Sequence, residues 1–523
     1  MKPSRPCDQS DRSARLYQRT QSRRRTHVRS YWPRCLASLA SITLLIAGQG
    51  CLMGENYQRP ATPSVQAWDV MFDGETNMTI RLDPTKEPAV DWWRLFGNDE
   101  LDQLIDQALQ HNHDVRRAAF RVMEARAVMV SSRAGLFPQL NAVGSVADIQ
   151  ISKSTLAGLG LANTTAPGTT PQTFATPGKQ YTLYNTGMDL RWELDLWGRI
   201  RRGLEAATAD AEALEHDQRG VILTMLGDIG AAYFELRELD ELIELSERTL
   251  RTRRDSLAII TSRYRAGLAT ELDVKRTEEL VESVAAQIPE YRRLRATAGH
   301  HIAALVGGEP GAVTLPPKPL RAVVAQPSIP VGLPSQILER RPDILEAERN
   351  LASANAHIGE ARAYFFPALA ITGTGGVQSV HLDNWLTNNS HTYNIGPSVT
   401  LPIFLGGTNI ARLENAQARY QELLEQYQQT ILNAFREVAD LLVAVRTRAE
   451  QREHQQKQVD AAREARRLAE QRYLGGIADY LDVLEAEREI LSAETTLVQT
   501  EYARLNDLVM LFKALGGGWK PSV

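Results

Sequence analysis

Residues suited to covalent or redox chemistry are scarce in this sequence. Its 523 residues include three cysteines, Cys7, Cys35 and Cys51, none in CxxC spacing, so no redox or zinc motif follows from them. There is no Gly-rich phosphate loop, nucleophile elbow or HExxH string, so a nucleotide site, a serine-type centre and a zinc protease are not expected. His111-Asn112-His113 and His300-His301 lack neighbouring ligands and read as solvated helix positions. Aromatics make up only 7% and mean hydropathy is −0.30, which excludes a polytopic helical membrane protein. The expectation is a non-enzymatic chain with no cofactor and no metal, whose energy must come from a partner.

Acidic and basic residues are unevenly placed. Residues 1–50 carry ten Lys/Arg and two Asp/Glu; subtracting these from 59 and 63 leaves 49 against 61. A basic leader on an acidic body points to export and away from nucleic acid. The leader continues into an apolar run, Leu36 to Ala47, and then Gly48-Gln49-Gly50-Cys51. A run of twelve residues is too short for a transmembrane helix and suits a cleaved secretory signal. The cysteine directly after small residues resembles a bacterial lipobox, although Gly48 stands where Leu is usual. Cleavage there would make Cys51 the acylated first residue, and Leu52 after it favours the outer membrane. An ordinary signal peptide with an incidental cysteine is the other reading.

The rest of the chain repeats itself. Arg263-Tyr264-Arg265-Ala266-Gly267-Leu268-Ala269-Thr270-Glu271-Leu272-Asp273-Val274 returns 209 residues later as Arg472-Tyr473-Leu474-Gly475-Gly476-Ile477-Ala478-Asp479-Tyr480-Leu481-Asp482-Val483. Seven of these positions are identical. Arg133-Ala134 and Phe137-Pro138 find counterparts in Arg362-Ala363 and Phe366-Pro367, and Leu194 to Gly198 resembles Leu401 to Gly406. Each half reads as helix, Phe-Pro, strand, loop, strand, very long helix, turn and helix. Units of this size are too large for a solenoid and imply two equivalent halves.

No Gly or Pro interrupts Thr408 to Leu474, and 67 helical residues at 1.5 Å each span about 100 Å. Apolar positions at Leu413, Ala416, Tyr420, Leu423, Tyr427, Ile431, Ala434, Val438, Leu441 and Val445 are spaced by three and four, with one extra four as a stutter. Arg199 to Ala266 is the counterpart in the first half. Two segments alternate instead. Tyr393, Ile395, Pro397, Val399, Leu401 and Ile403 oppose Thr392, Asn394, Gly396, Ser398 and Thr400. Met188, Leu190, Trp192, Leu194 and Leu196 oppose Asn185, Gly187, Asp189, Arg191 and Glu193. Period-two alternation over about ten residues is the signature of a membrane β-strand. Less regular strands begin after Pro138 and Pro367. Four strands with open edges need closure in lipid, and several copies of the chain would supply it.

Together these features resemble the TolC/OprM-type outer-membrane efflux family, in its drug-efflux lipoprotein branch. The resemblance is carried by Tyr57-Gln58-Arg59-Pro60, Trp92-Trp93-Arg94-Leu95-Phe96, Trp192 to Arg199, Leu333-Pro334-Ser335 with Glu339-Arg340-Arg341-Pro342-Asp343-Ile344, and Lys513 to Trp519. It implies a mainly α fold with a membrane β part: an internally duplicated, coiled-coil α-helical barrel, with four strands per chain closing a 12-stranded β-barrel in a homotrimer. The corresponding divisions are a lipoprotein signal peptide (1–50), an N-terminal arm (51–98), a first repeat (99–332) with loop 152–180, a second repeat (333–515) with loop 378–391, and a tail (516–523). The N-terminal arm, the Pro-rich stretch from Pro310 to Pro334 and the C-terminus would form a belt around the helices.

The resemblance also implies a periplasmic gate. Asp482 and Glu485 lie three apart on one helical face, where three copies would make stacked carboxylate rings that favour cations. Leu481 would add an apolar plug and Arg488 a bridge to a neighbouring chain. Asp482 near a helix start is equally what capping favours. Arg263, Tyr264, Gly267, Asp273, Arg472, Tyr473 and Gly476 belong to the two tip turns, where an adaptor would contact them; Asp273 also has a structural reading. Ala478 stands where some relatives carry a basic locking residue. The implied partners are a periplasmic adaptor, an inner-membrane pump of the RND type and outer-membrane lipid, with passive export of small molecules through the tunnel. A non-conducting coiled-coil envelope scaffold and a type I protein-secretion duct are the alternatives; the alternating strands speak against the scaffold.

Overall fold

The computed structural model describes residues 52–62, 82–83, 90–150, 180–322, 329–330 and 334–518. The leader, Cys51, loop residues 152–179 and the last five residues lie outside them. The elements are α1 Asp99–His111, α2 His113–Ala134, β1 Gln139–Gln150, β2 Gln180–Leu194, α3 Arg199–Arg265, α4 Glu271–Leu305, α5 Pro334–Arg340, α6 Pro342–Ala363, β3 Ala368–Ser379, β4 His391–Thr400, α7 Thr408–Leu474 and α8 Tyr480–Ala514.

The duplication shows in the lengths of four paired elements. α2 and α6 are both 22 residues long, β1 and β3 both 12, α3 and α7 both 67, α4 and α8 both 35. Up to the first strand of each half the offset is 229, from 113 to 342; from the long helices onward it is 209, from 199 to 408. The loop between the paired strands absorbs the difference. One detail of the sequence alignment shifts. Both long helices start after a left-handed glycine, Gly198 (φ 77°) and Gly407 (φ 86°), so Gly198 matches Gly407 rather than Gly406.

α3 lies along α2, α4, α6 and α8, and α7 along α6 and α8. Of the stripe read on α7, Leu423, Tyr427, Ile431, Ala434, Val438 and Val445 are buried, whereas Leu442 is buried in place of Leu441. A second extra step of four, from Val438 to Leu442, rotates the inward face at that point. Where the middle of α3 meets the end of α8, Trp92 stacks on Phe512 at 5.3 Å, and Phe96 lies 5.1 Å from Phe234. Gly230 admits Val509 there, since a Cβ would sit 3.1 Å from its methyl. The helix read through His111-Asn112-His113 is two helices. The Asn112 side chain accepts from Asp114 N and Val115 N, starting α2, and donates to Leu305 O at 2.7 Å.

Candidate functional site

The four long strands form one antiparallel sheet in the order β1-β2-β3-β4. Its register gathers the apolar residues. Leu140 faces Leu190, Ala142 faces Met188 and Val146 faces Tyr184; Trp192 faces Ile371, Leu194 faces Leu369, Leu369 faces Val399 and Ile371 faces Pro397. All share one face. The other carries Asn141, Asn185, Asp189, Arg191, Thr372, Thr374, Asn394 and Ser398. Leu140, Met188, Tyr393, Ile395 and Val399 are all more than half exposed, so among the described residues no core covers the apolar face. Twelve residues rise about 40 Å along a strand, or about 30 Å once tilted by some 40°, which matches the hydrocarbon thickness of a bilayer. Aromatics crowd the helix end of the sheet. Trp197 stacks on Phe366 at 4.8 Å and donates to Pro367 O at 2.8 Å, and Phe137, Phe365 and Phe404 are exposed beside the strand ends. Such a girdle belongs at a membrane–water interface.

The described N-terminal arm is strapped down from this junction. Met53 N donates to Trp197 O at 3.1 Å. Arg202, fully buried, donates to Met53 O (3.0 Å), Gly54 O (2.8 Å) and Asn56 Oδ1 (3.1 Å). Further along, Asn355 donates to Glu55 O at 3.0 Å, and Arg59 pairs with Glu348 at 3.1 Å. The Arg-Arg-Pro-Asp and Gly-Gly-Gly strings, remote in sequence, meet in space. Arg341 pairs with Glu437 at 2.7 Å and donates to Ala514 O at 3.1 Å, closing the end of α8. A second anchor, invisible to motif reading, is Arg237. It is fully buried and pairs with Asp240 (2.7 Å) and Glu100 (3.1 Å), while Arg295 reaches Asp240 and the carbonyl of Leu315.

The opposite ends of the long helices form the tips. Gly267 (φ 74°) and Gly476 (φ 73°) are left-handed, and Leu268 N→Arg263 O (2.8 Å) mirrors Ile477 N→Arg472 O (2.9 Å). Both turns are glycine C-caps with the bond that closes the last helical turn. Asp273 is structural: its carboxylate accepts from Thr270 N while Thr270 Oγ1 accepts from Asp273 N, a complete capping box. Asp482 plays no such part: the N-cap position of α8 is Asp479, and the helix starts there without a side-chain cap bond. Behind the turns, Ile260, Val274, Leu280, Tyr480, Val483 and Leu484 form a small core of their own. Tyr473 closes it, 4.9 Å from Tyr480 and 4.8 Å from the Arg263 guanidinium. Burial pushes the Tyr480 hydroxyl up to about 12, so it stays neutral.

Leu481, Asp482, Glu485 and Arg488 all point outward from this core. Tyr264, Leu268, Leu272, Leu474 and Ile477 are exposed around them. Arg488, expected to reach a neighbouring chain, is paired within its own: Nη2 lies 2.7 Å from Glu279 Oε2 of α4. Sequence reading missed the buried charges just above the tip, Arg253 and Glu487. The available signal was heptad position: Arg253 continues the series Leu239, Ser246 and Ile260 at steps of seven, and Glu487 lies seven beyond Tyr480. A charge at an inward position of a long helix marks a site. Among the described residues no cluster of His, Cys, Asp and Glu could hold a metal ion.

Comparison with known proteins fits this arrangement. The chain is 35% identical over 492 residues to the solvent efflux pump outer membrane protein SrpC of Pseudomonas putida, covering 93% of this chain and 99% of that one. It is 32% identical over 485 residues to the cation efflux system protein CusC of Escherichia coli O6:H1, covering 92% and 99%. The solved outer-membrane channel OprN superposes with a TM-score of 0.79 at 31% identity, over 90% of this chain and all of that one. The family described as outer membrane efflux protein matches residues 104–308 and 333–517, one segment in each half. The chain belongs to the outer membrane efflux protein family, whose members are outer-membrane channels rather than enzymes.

Proposed function

We propose that the chain works as a homotrimer, forming the exit duct of a tripartite RND-type efflux system anchored in the outer membrane through an acylated Cys51. The observation that supports this most is the sheet. Its register makes one face predominantly apolar, both outer strands have an unpaired edge, and among the described residues nothing covers either. Unpaired backbone is not tolerated in lipid, and three copies of four strands close a 12-stranded barrel. The exposed Phe120, Met123, Val128 and Val130 of α2 and Leu432 and Val443 of α7 give the helices apolar surface for neighbouring copies. Polar residues then line the lumen above, and Asp482 and Glu485 line its narrow end below, with Leu481 as the apolar constriction. Arg488, held to Glu279, ties the second hairpin to the first, and opening separates them. The exposed apolar residues of the tip turns suit a docked periplasmic adaptor, with an inner-membrane pump supplying the energy. SrpC is named for solvents and CusC for cations, and small molecules delivered by the pump are the cargo proposed here.

The test is two-fold. Deleting the gene raises drug susceptibility, and a cysteine pair that crosslinks the tips of the expressed channel reproduces that loss. In bilayers, changing Asp482 to Asn together with Glu485 to Gln lowers cation over anion selectivity. Unchanged susceptibility together with no conductance would return the chain to the scaffold reading.

A further inference from the structure

One carboxylate of α8 turns inward between the gate residues. Glu487 is 6% exposed, although its neighbours Glu485 and Arg488 face water. Its Oε1 has only distant partners: Ser256 Oγ of α3 at 3.4 Å and Arg466 Nη2 of α7 at 3.5 Å. Its Oε2 is buried without a hydrogen bond. Arg253 of α3, itself buried, does not pair with the carboxylate. It donates to Leu280 O of α4 at 2.8 Å and to the main-chain carbonyl of Glu487 at 3.4 Å. The remaining charges nearby are Glu470 of α7, 4.0 Å from Arg466, and the exposed pair Glu279 of α4 and Arg488. Four helices therefore converge on a carboxylate with one oxygen held only by long contacts and the other by none.

We propose that Glu487 is a positioning residue of the tip, whose protonation holds α8 against α3 and keeps the channel shut at acid pH. This rests on the gate reading above. Moving α8 off α3 breaks the Ser256 and Arg253 contacts and hands the carboxylate to water. In the packed tip, desolvation raises the Glu487 pKa above the ordinary carboxylate range, with Arg466 and Arg253 opposing the rise. The sign follows by linkage. The packed state binds the proton more tightly than the separated one, so acidification favours packing, and the advantage is lost as pH rises through the raised pKa. Each unit of difference changes the open-to-closed ratio about tenfold per chain, compounded when chains open together.

The experiment is the open fraction of the full-length channel in planar bilayers between about pH 8 and about pH 4.5, a window spanning the ordinary and raised carboxylate ranges. The wild type closes as pH falls. Glu487→Gln, a permanently neutral side chain, is closed across the range with its slope lost. Arg466→Gln removes a cation that opposes protonation, so its closing midpoint moves to higher pH. If Glu487→Gln keeps the wild-type slope, the inference is overturned. If that variant does not assemble, Arg466→Gln decides: a midpoint that stays or falls overturns it. Changing Asp482 to Asn and Glu485 to Gln separates the two readings. Selectivity that ignores these changes sinks the gate, whereas selectivity that responds while the pH slope ignores Glu487 sinks only the present inference.

Discussion

Arg488 and Glu279 stand 209 residues apart, occupy the same position in the two repeats, and bind each other at 2.7 Å. A duplicated scaffold has thus placed opposite charges where its two short tip helices face one another. Both side chains are more than half exposed, so the pair contributes only about 0–1 kcal/mol to stability. Its effect on the open state is expected to be larger than its effect on folding. Arg488→Ala and Glu279→Ala each leave the melting temperature nearly unchanged and raise spontaneous openings in bilayers. The swapped pair, Glu279→Arg with Arg488→Glu, restores the closed time. Openings unaffected by either single change would remove the pair from gating.

The Arg237 site is predicted to behave oppositely. Asp240→Ala strands a fully buried guanidinium that also holds Pro316 O at 2.8 Å. Breaking a buried pair from one side costs about 3–5 kcal/mol. Denaturant unfolding of the purified channel measures this, and a loss under about 1 kcal/mol would show that Glu100 alone compensates.

On the sheet, neighbouring residues should respond differently to the same change. Ile395 lies on the apolar face opposite Gly373, and Asn394 lies on the polar face opposite Thr374. Ile395→Arg costs about 2–4 kcal/mol near the bilayer midplane and reduces the fraction assembled in the outer membrane. Asn394→Arg assembles normally and shifts conductance toward anions. Heat-modifiable mobility on gels and single-channel recordings report the two outcomes, and equal assembly defects would mean that the faces are misassigned.

How much of this was legible in the sequence depends on the range of the forces involved. The 67-residue α7 was readable to the residue because helix and breaker signals are local, and β2 and β4 were readable because alternation is local too. β1 was harder: Gly144 and Asp148 interrupt its alternation, and only the register with Thr186 and Thr182 places them on the apolar side of the sheet. Asp148 is accommodated there by Thr182, whose hydroxyl donates to it at 2.6 Å. Leu442 replaced Leu441 because the inward face takes a second step of four there, set by the helices packed against α7. The tip glycines were legible through their repeat and Asp482 and Glu485 were singled out through the family resemblance, but Arg253, Glu487 and Arg237 were not. Their significance is that they are buried, and burial is set by helices whose pairing the sequence does not state.

The N-terminal strap yields a final prediction that separates anchoring from lipidation. Arg202 holds the carbonyls of Met53 and Gly54 in a groove where Gly359 leaves no room for a side chain; a Cβ there would lie 2.6 Å from Met53 O. Removing the guanidinium leaves two half-buried carbonyls without this donor, at no more than about 1–3 kcal/mol each. Arg202→Met therefore loosens the strap, and proteases cut within residues 52–62 at rates well above wild type. Gly359→Ala does the same by steric exclusion. Neither change touches the acyl acceptor, so labelled palmitate is still incorporated, whereas Cys51→Ser abolishes the label and leaves the strap resistant. Cleavage of the strap in Cys51→Ser at the rate seen in Arg202→Met would mean that the lipid, and not the Arg202 clamp, keeps this segment in place.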